Sequence, residues 1–255
     1  MIEYTKEGRI AIFTINRPEA MGALNIEGMK QLSNALLDFR DDDELWVGII
    51  TGTGEKVFSA GVDVKEFLPF VRETKHKKWQ RPAGILRGLD LWKPLIAACN
   101  GLTLGGGLEI SLACDMMIAS ENAKFGLPEV KVGIIPGGGG SQRLPRIIPW
   151  RLAAEMLFTG KTIDAQEAYR IGLVNKVVPA SELMAEAKKM AESICQAAPL
   201  AVRYAKELMI RGSGLPLEEA LRLEDDIEST LMATDDFQEG ITAFAEKRKP
   251  NFKGK

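Results

Sequence analysis

Apolar residues along the first two thirds of the chain come in short strand-like runs separated by glycine-bearing loops and helices. Ile10 to Ile15 alternates and runs into Asn16-Arg17-Pro18, which predicts a strand and a turn. Ile26 to Phe39 places Met29, Leu32, Leu36 and Phe39 at helical spacing, ahead of the acidic run Asp41 to Glu44. Trp46 to Ile50 is a buried strand closed by Thr51-Gly52-Thr53-Gly54. A tight loop at Phe58 to Asp63 and a helix over Val64 to Phe70 follow. Val71 to Pro82 is polar and charged around Trp79 and reads as a mobile surface element, and Leu86 to Trp92 is amphipathic. Pro94 to Cys99 is a second buried strand ending at Asn100-Gly101, Met116 to Ala119 a third, and Lys124 to Gly126 a short fourth.

Strand, glycine loop and helix recur at Val47–Phe67, at Leu95–Ala113 and from Met116 onward, without the residues aligning as a repeat. That succession predicts an α/β fold whose loops gather on one side, where such folds place ligands. Gly137 to Gly140 opens a helix near Ser141 that should break at Pro145 and Pro149; Arg151 to Phe158 and Ala165 to Arg170 are helical, and Gly172 to Val178 is a last strand. Beyond Pro179 the pattern is helical only: Ser181–Gln196, Leu200–Arg211, Leu217–Met232 and Phe237–Lys247, the last with Asp235 and Gln238 as a capping box. A soft boundary near Ala198 divides a core of residues 1–198 from a helical region of residues 199–255, which is expected to pack on a neighbouring subunit.

Composition narrows the function. Thirty-three basic and thirty-five acidic residues in 255 leave a net charge of −2, without the basic footprint of a nucleic-acid or anionic-membrane binder. No apolar run approaches the roughly 20 residues of a membrane span, and MIEYTKEGRI does not resemble a targeting peptide. Cys99, Cys114 and Cys195 have no metal-ligand spacing and cannot all pair, so a reducing, cytoplasmic setting is expected and no metal site. His76 is the single histidine and lies in a lysine-rich run, which leaves a serine–histidine triad without its base. Two glycine motifs fail: Phe158 to Thr162 lacks the first glycine of a phosphate loop, since Glu155 stands there, and Gln142 occupies the third glycine of a dinucleotide fingerprint.

Carboxylates and backbone remain. In Leu104 to Asp115, LGGGLEISLACD, three glycines open onto a helix that carries Glu109 in its first turn. Amides at a helix start lack internal acceptors, so Gly105, Gly106 and Gly107 can present N–H groups to an anion or to a carbonyl oxygen becoming one. A plain glycine turn with a solvated glutamate is the structural alternative. Glu129, in FGLPEVKVGIIPGGGG, follows Pro128 in what reads as an extended setting among Leu127, Val130, Val132, Ile134 and Ile135. A carboxyl in apolar surroundings has a raised pKa, and two facing carboxyls divide acid and base duties. The chain between them runs out and back, a path that can return Glu129 to Glu109.

NGLTLGGGLEISLACD, FGLPEVKVGIIPGGGGSQRLPR and FSAGVDVKEF, with TINRPEAMGALN and FAEKRKPNFKGK at the two ends, resemble the enoyl-CoA hydratase (crotonase) family over essentially the whole chain. The resemblance implies a spiral of ββα turns followed by a helical trimerisation region, assembled as a trimer or a dimer of trimers. It implies a coenzyme A thioester as substrate, with no separate cofactor. Carried over residue by residue, it puts the oxyanion hole at the amides of Ala60 and Gly106. Ala23, Leu24, Ala60, Gly61, Val62, Asp63 and Gly106 become substrate-binding positions, and Arg17 and a neighbour's Lys247 candidates for the coenzyme A phosphates. Gly22 replaces the family's usual asparagine. Glutamate at both 109 and 129 is the hydratase pattern, in which both hold a water, Glu129 protonates Cα and Glu109 deprotonates the water. Phe67, Phe70, Trp79 and Trp92 are expected to shape the acyl pocket. A related isomerisation, hydration of an unusual enoyl-CoA and a non-catalytic RNA-binding relative are the rival readings.

Overall fold

The computed structural model describes residues 1–73, 84–87 and 89–255, with the side chains of residue 68 and residues 70–73 excepted. The chain opens with an antiparallel hairpin, β1 (Ile2–Glu7) and β2 (Ile10–Ile15), and then α1 (Ile26–Asp41). The Asn25 side chain caps α1 by accepting from the Gly28 N–H at 2.9 Å. From there each lap supplies two strands and a helix: β3 (Val47–Gly52), β4 (Val57–Ser59) and α2 (Val64–Glu73); then β5 (Leu95–Cys99), β6 (Leu102–Leu104) and α3 (Gly106–Leu112). A third lap gives β7 (Met116–Ser120), β8 (Lys124–Gly126), a 3-10 turn over Pro128–Val132, and α4 (Gly140–Ile147). Next come α5 (Trp150–Thr159), β9 (Thr162–Asp164), α6 (Ala165–Arg170), β10 (Lys176–Val178) and α7 (Leu183–Ile194). The final helices are α8 (Pro199–Gly212), α9 (Leu217–Met232) and α10 (Asp235–Glu246).

First strands of successive laps form a six-stranded sheet, β1-β2-β3-β5-β7-β10, parallel after the opening hairpin; second strands form a sheet of order β4-β6-β8-β9. The fold is therefore a spiral of ββα turns of the mixed α/β class. Alternation along the buried strands divides the core. Ile49, Ile96, Ala98 and Ile118 face the apolar side of α7, while Ile50, Leu95, Ala97 and Ala119 belong to the larger cluster with Phe13, Leu36 and Phe39. One glycine sets the fit between laps. A Cβ on Gly107 would collide with the Ser59 carbonyl oxygen, so only glycine lets α3 seat on the turn of the lap before it.

The terminal helices also touch the core. Lys206 on α8 pairs with Asp115 at 2.8 Å, and the tail returns to place Phe252 against the α7-side cluster, its carbonyl accepting from Arg9. Three local expectations need correction. Pro145 lies inside α4 instead of breaking it. The last helix starts at Asp235, and its cap is Thr234, whose Oγ1 accepts from the Phe237 N–H at 3.2 Å. Residues 85–87 and 89–92 hold no helix, only a turn closed by the Gly84–Arg87 bridge. The expected mobile element, with Trp79 and His76, falls for the most part outside the described residues. No helix among the described residues is long and apolar enough to cross a membrane.

Candidate active site

Glu109 sits one turn into α3 and is 5% exposed. Burial of a carboxylate demands donors, and the glycine run before α4 provides them: Gly138 and Gly140 N–H both donate to Oε1, at 2.6 and 2.9 Å. Gly138 itself has room for no more than hydrogen, because an added Cβ would run into Glu109 Oε2. Two arginines hold the same glycine run from behind. Arg87 donates to the Gly137 carbonyl at 3.0 Å, and half-buried Arg143 donates to Gly138 and Leu86 carbonyls, each at 3.1 Å.

Glu129 arrives from the opposite side. Pro128 opens a 3-10 turn at its N1 position, so the stretch is a tight turn and not the expected extended segment. The carboxyl leans onto the glycine loop, with Oε1 3.2 Å from where a Cβ on Gly105 would stand. Its Oε2 is buried and has no hydrogen-bond partner among the described residues. Burial lifts the pKa from 4.5 to about 7; a backbone hydrogen bond pulls the other way and the charge of Glu109 adds to the rise. The direction matches the sequence expectation, but the cause differs. Val130, Val132, Ile134 and Ile135 all face solvent, and the desolvation comes from the carboxyl's seat in the fold. The two glutamates do converge: Glu129 leans on the loop that opens the Glu109 helix, and its carboxyl feels the charge of Glu109.

The amide pair is where sequence reasoning slipped. Ala60 N–H is spent on the Met21 carbonyl at 2.9 Å, and Gly61 N–H on Ser59 Oγ at 3.1 Å. The Leu24–Val62 bridge uses Leu24 N–H to Gly61 carbonyl and Asp63 N–H to Leu24 carbonyl, which leaves the Val62 N–H directed away from it. Gly61 has φ +101, and this turn of the backbone swaps which amides face inward. The Val62 N–H has no acceptor among the described residues, and neither has the Gly106 N–H that opens α3. They are neighbours, since a Cβ on Gly106 would lie 3.4 Å from Val62 Cγ2 and one on Gly61 would lie 2.8 Å from the Gly106 nitrogen. Ala60 is thus replaced by Val62 in the candidate oxyanion pair, while Gly106 stays.

Ala23 and Leu24 are buried beside this strip, and Asp63 sits at its end. Arg17 is not free to meet a phosphate. Its guanidinium pairs with Asp63 at 2.8 Å, reaches Glu66 at 3.4 Å and donates to the Ala23 carbonyl at 2.9 Å. Desolvation works against the Asp63 charge, but Arg17 and the Lys65 and Glu66 N–H groups outweigh it and hold the carboxyl below its ordinary range. Gly22, with φ +66, packs on the Phe58–Ser59 backbone, and its carbonyl accepts from Ser59 Oγ at 2.7 Å. The glycine there therefore has a steric reason. Of the expected acyl-pocket residues, Trp79 and the Phe70 side chain lie outside the described residues. Arg87, Arg143, Ser59 and Asn100 were not anticipated. Asn100 is buried and fastens the 52–57 turn through the Gly52 N–H and the Gly54 and Val57 carbonyls. Its place between a buried strand and Gly101 was the available signal.

One buried acid and one half-buried acid flank the Gly105 loop, with the Val62 and Gly106 amides at its rim, an arrangement suited to acid–base work on a substrate whose oxygen gains negative charge, set in a spiral of ββα turns. The chain belongs to the enoyl-CoA hydratase/isomerase family, whose model matches residues 5–255. It is 44% identical to the short-chain-enoyl-CoA hydratase of Clostridium acetobutylicum, over 96% of this chain and 94% of that one. It is also 44% identical to the (E)-benzylidenesuccinyl-CoA hydratase of Thauera aromatica, over 96% of each. The crystal structure of an enoyl-CoA hydratase from Bacillus anthracis superposes with a TM-score of 0.92 at 39% identity, covering 100% of this chain and 99% of that one.

Proposed function

We infer that this protein is a hydro-lyase that adds water reversibly across the 2,3 double bond of an enoyl-CoA thioester. The observation that carries the reading is the contrast between two carboxyls around one loop. Glu109 is gripped through a single oxygen by two N–H donors, leaving Oε2 to orient a water and take its proton. Glu129, with its pKa near 7, is a carboxyl able to hand a proton to Cα and to recover one in the reverse direction. The thioester oxygen is assigned to the gap between Val62 and Gly106 N–H, where it takes charge as the enolate forms; each such donor is worth about 3 kcal/mol. Per hydration, one proton leaves Glu129 for Cα and one enters Glu109 from the water, whose hydroxyl bonds to Cβ. Ala23, Leu24, Gly61, Val62 and Asp63 are assigned to the thioester's pantetheine strip.

Incubation with crotonyl-CoA should remove the conjugated enoyl absorbance and yield the 3-hydroxyacyl thioester. No turnover on any 2-enoyl-CoA, or a double-bond shift without water uptake, would refute hydration in favour of the isomerase reading. The two relatives of equal identity act, by their names, on short-chain and on aryl-substituted enoyl thioesters, so a panel of both decides the acyl group.

Self-association as a trimer or dimer of trimers through residues 199–255 belongs to the same proposal. Support comes from large apolar side chains on the outside of that region, Phe244 at 88% exposed among them, and from an apolar groove of about 480 Å³ lined by Leu200, Leu231, Phe237, Ile241 and Phe244, which includes neither glutamate. A cytoplasmic setting accords with three free cysteines.

A further inference from the structure

Four consecutive glycines, 137 to 140, carry the donors that hold Glu109, and glycine side chains fix nothing about the rotation of the peptides between them. Something else must set the direction in which the Gly138 N–H points. In a trans peptide the carbonyl of one residue and the N–H of the next point opposite ways, and no peptide among the described residues is cis. The Gly137 carbonyl accepts from Arg87 at 3.0 Å, and the N–H on the other end of that same peptide donates to Glu109 Oε1 at 2.6 Å. Guanidinium, peptide and carboxylate stand in one hydrogen-bonded row.

We propose that Arg87 is a positioning residue for Glu109, acting through the peptide that joins Gly137 to Gly138. A cation on the carbonyl pins the peptide plane and polarises it, which makes its N–H a stronger donor to the carboxylate. Arg87 is itself held in place, since its own N–H and carbonyl exchange hydrogen bonds with Gly84 at 2.9 and 3.0 Å. Arg143 ties that turn to the run by donating to both Leu86 and Gly138. The inference rests on the hydratase reading for the task that Glu109 performs, but the hydrogen-bonded row itself does not depend on it.

The test uses the full chain with Arg87→Ala, Arg87→Lys, Glu109→Gln and the Arg87→Ala/Glu109→Gln pair, with crotonyl-CoA as substrate. Arg87→Ala should lower kcat about tenfold, equivalent to about 1.4 kcal/mol, with KM within about twofold. Arg87→Lys, which keeps the charge, should recover part of the loss, and Arg87→Ala should add nothing in the Glu109→Gln background. An equal fractional loss in both backgrounds, or unchanged kcat in Arg87→Ala, overturns the proposal. Amide hydrogen exchange over residues 137–140 gives a readout independent of turnover: it should quicken in Arg87→Ala. Should the parent protein hydrate no enoyl thioester, the hydratase reading falls on its own, and unchanged exchange in Arg87→Ala would still dispose of the Arg87 link.

Discussion

Replacing Glu129 by Gln should remove activity and stabilise the protein, and the pH dependence of both effects follows from one displaced pKa. Burial raises this carboxyl from 4.5 to about 7, so between those values the folded state holds a proton that the unfolded state has released. Unfolding is then favoured progressively as pH climbs from 4.5 to 7, and the penalty stays constant above. At about 1.4 kcal/mol per pH unit the full gap corresponds to about 3 kcal/mol. The side chain is only partly buried, and solvent screening reduces the expected penalty to about 1–2 kcal/mol. Glutamine keeps the shape, carries no charge and escapes the penalty. Thermal unfolding at pH 8 should therefore place Glu129→Gln about 2–6 °C above the parent, while near pH 4.5 the two should coincide. The same variant should lose about 100-fold or more in kcat. In the parent, kcat/KM for hydration should fall about tenfold per pH unit above 8, and the reverse dehydration should share that limb, because the overall reaction takes up no proton and its equilibrium constant is independent of pH. A Glu129→Gln protein less stable than the parent at pH 8, equal offsets at both pH values, or a hydration profile with no limb near 7 would refute the burial argument.

Glu109→Gln should cut kcat by a factor of about 100 or more while KM for crotonyl-CoA moves only a few-fold, read by steady-state kinetics. Gly106→Pro deletes one of the two bare amides at N1 of α3, where proline suits the helix; kcat should fall about 100-fold with helical circular dichroism retained. Arg17→Ala strands Asp63 without its cation and should cost about 2–4 kcal/mol in denaturant unfolding. A mainly KM effect with unchanged stability would return Arg17 to a phosphate-binding role.

The parts of the site legible in the sequence were those marked by a strong local signal. The glycines before Glu109 announced a helix start with unpaired amides, and the Val47–Gly52 and Leu95–Cys99 runs announced buried strands, because both are dictated within a few residues. The raised pKa of Glu129 was anticipated, yet through five neighbours of which only Leu127 is buried; Pro128 starts a tight turn, and Val130, Val132, Ile134 and Ile135 face outward. β1 was missed because an edge strand with one exposed face, IEYTKE, has little apolar alternation to show. β4, β6 and β9 have three residues each and sit inside segments read as a loop or a helix approach, so three residues carried no period of their own. The exchange of Ala60 for Val62 turns on one dihedral, the positive φ of Gly61, and the Arg87–Gly137 and Arg143–Leu86 contacts span 50 and 57 residues. Partners that meet only after folding leave no trace in spacing.

Val62 follows the second strand of one lap, and Gly106 follows the second strand of the next. The proposed polarising pair therefore belongs to no single stretch of chain; its gap is set by the stacking of one lap on the next. A peptide copied from either loop would carry half a device, and a one-residue slip in the β4–β6 pairing should change the gap without altering a chemical group in it. Redesign of this scaffold for other thioesters is accordingly freest at the walls and most constrained in the stacking of its laps.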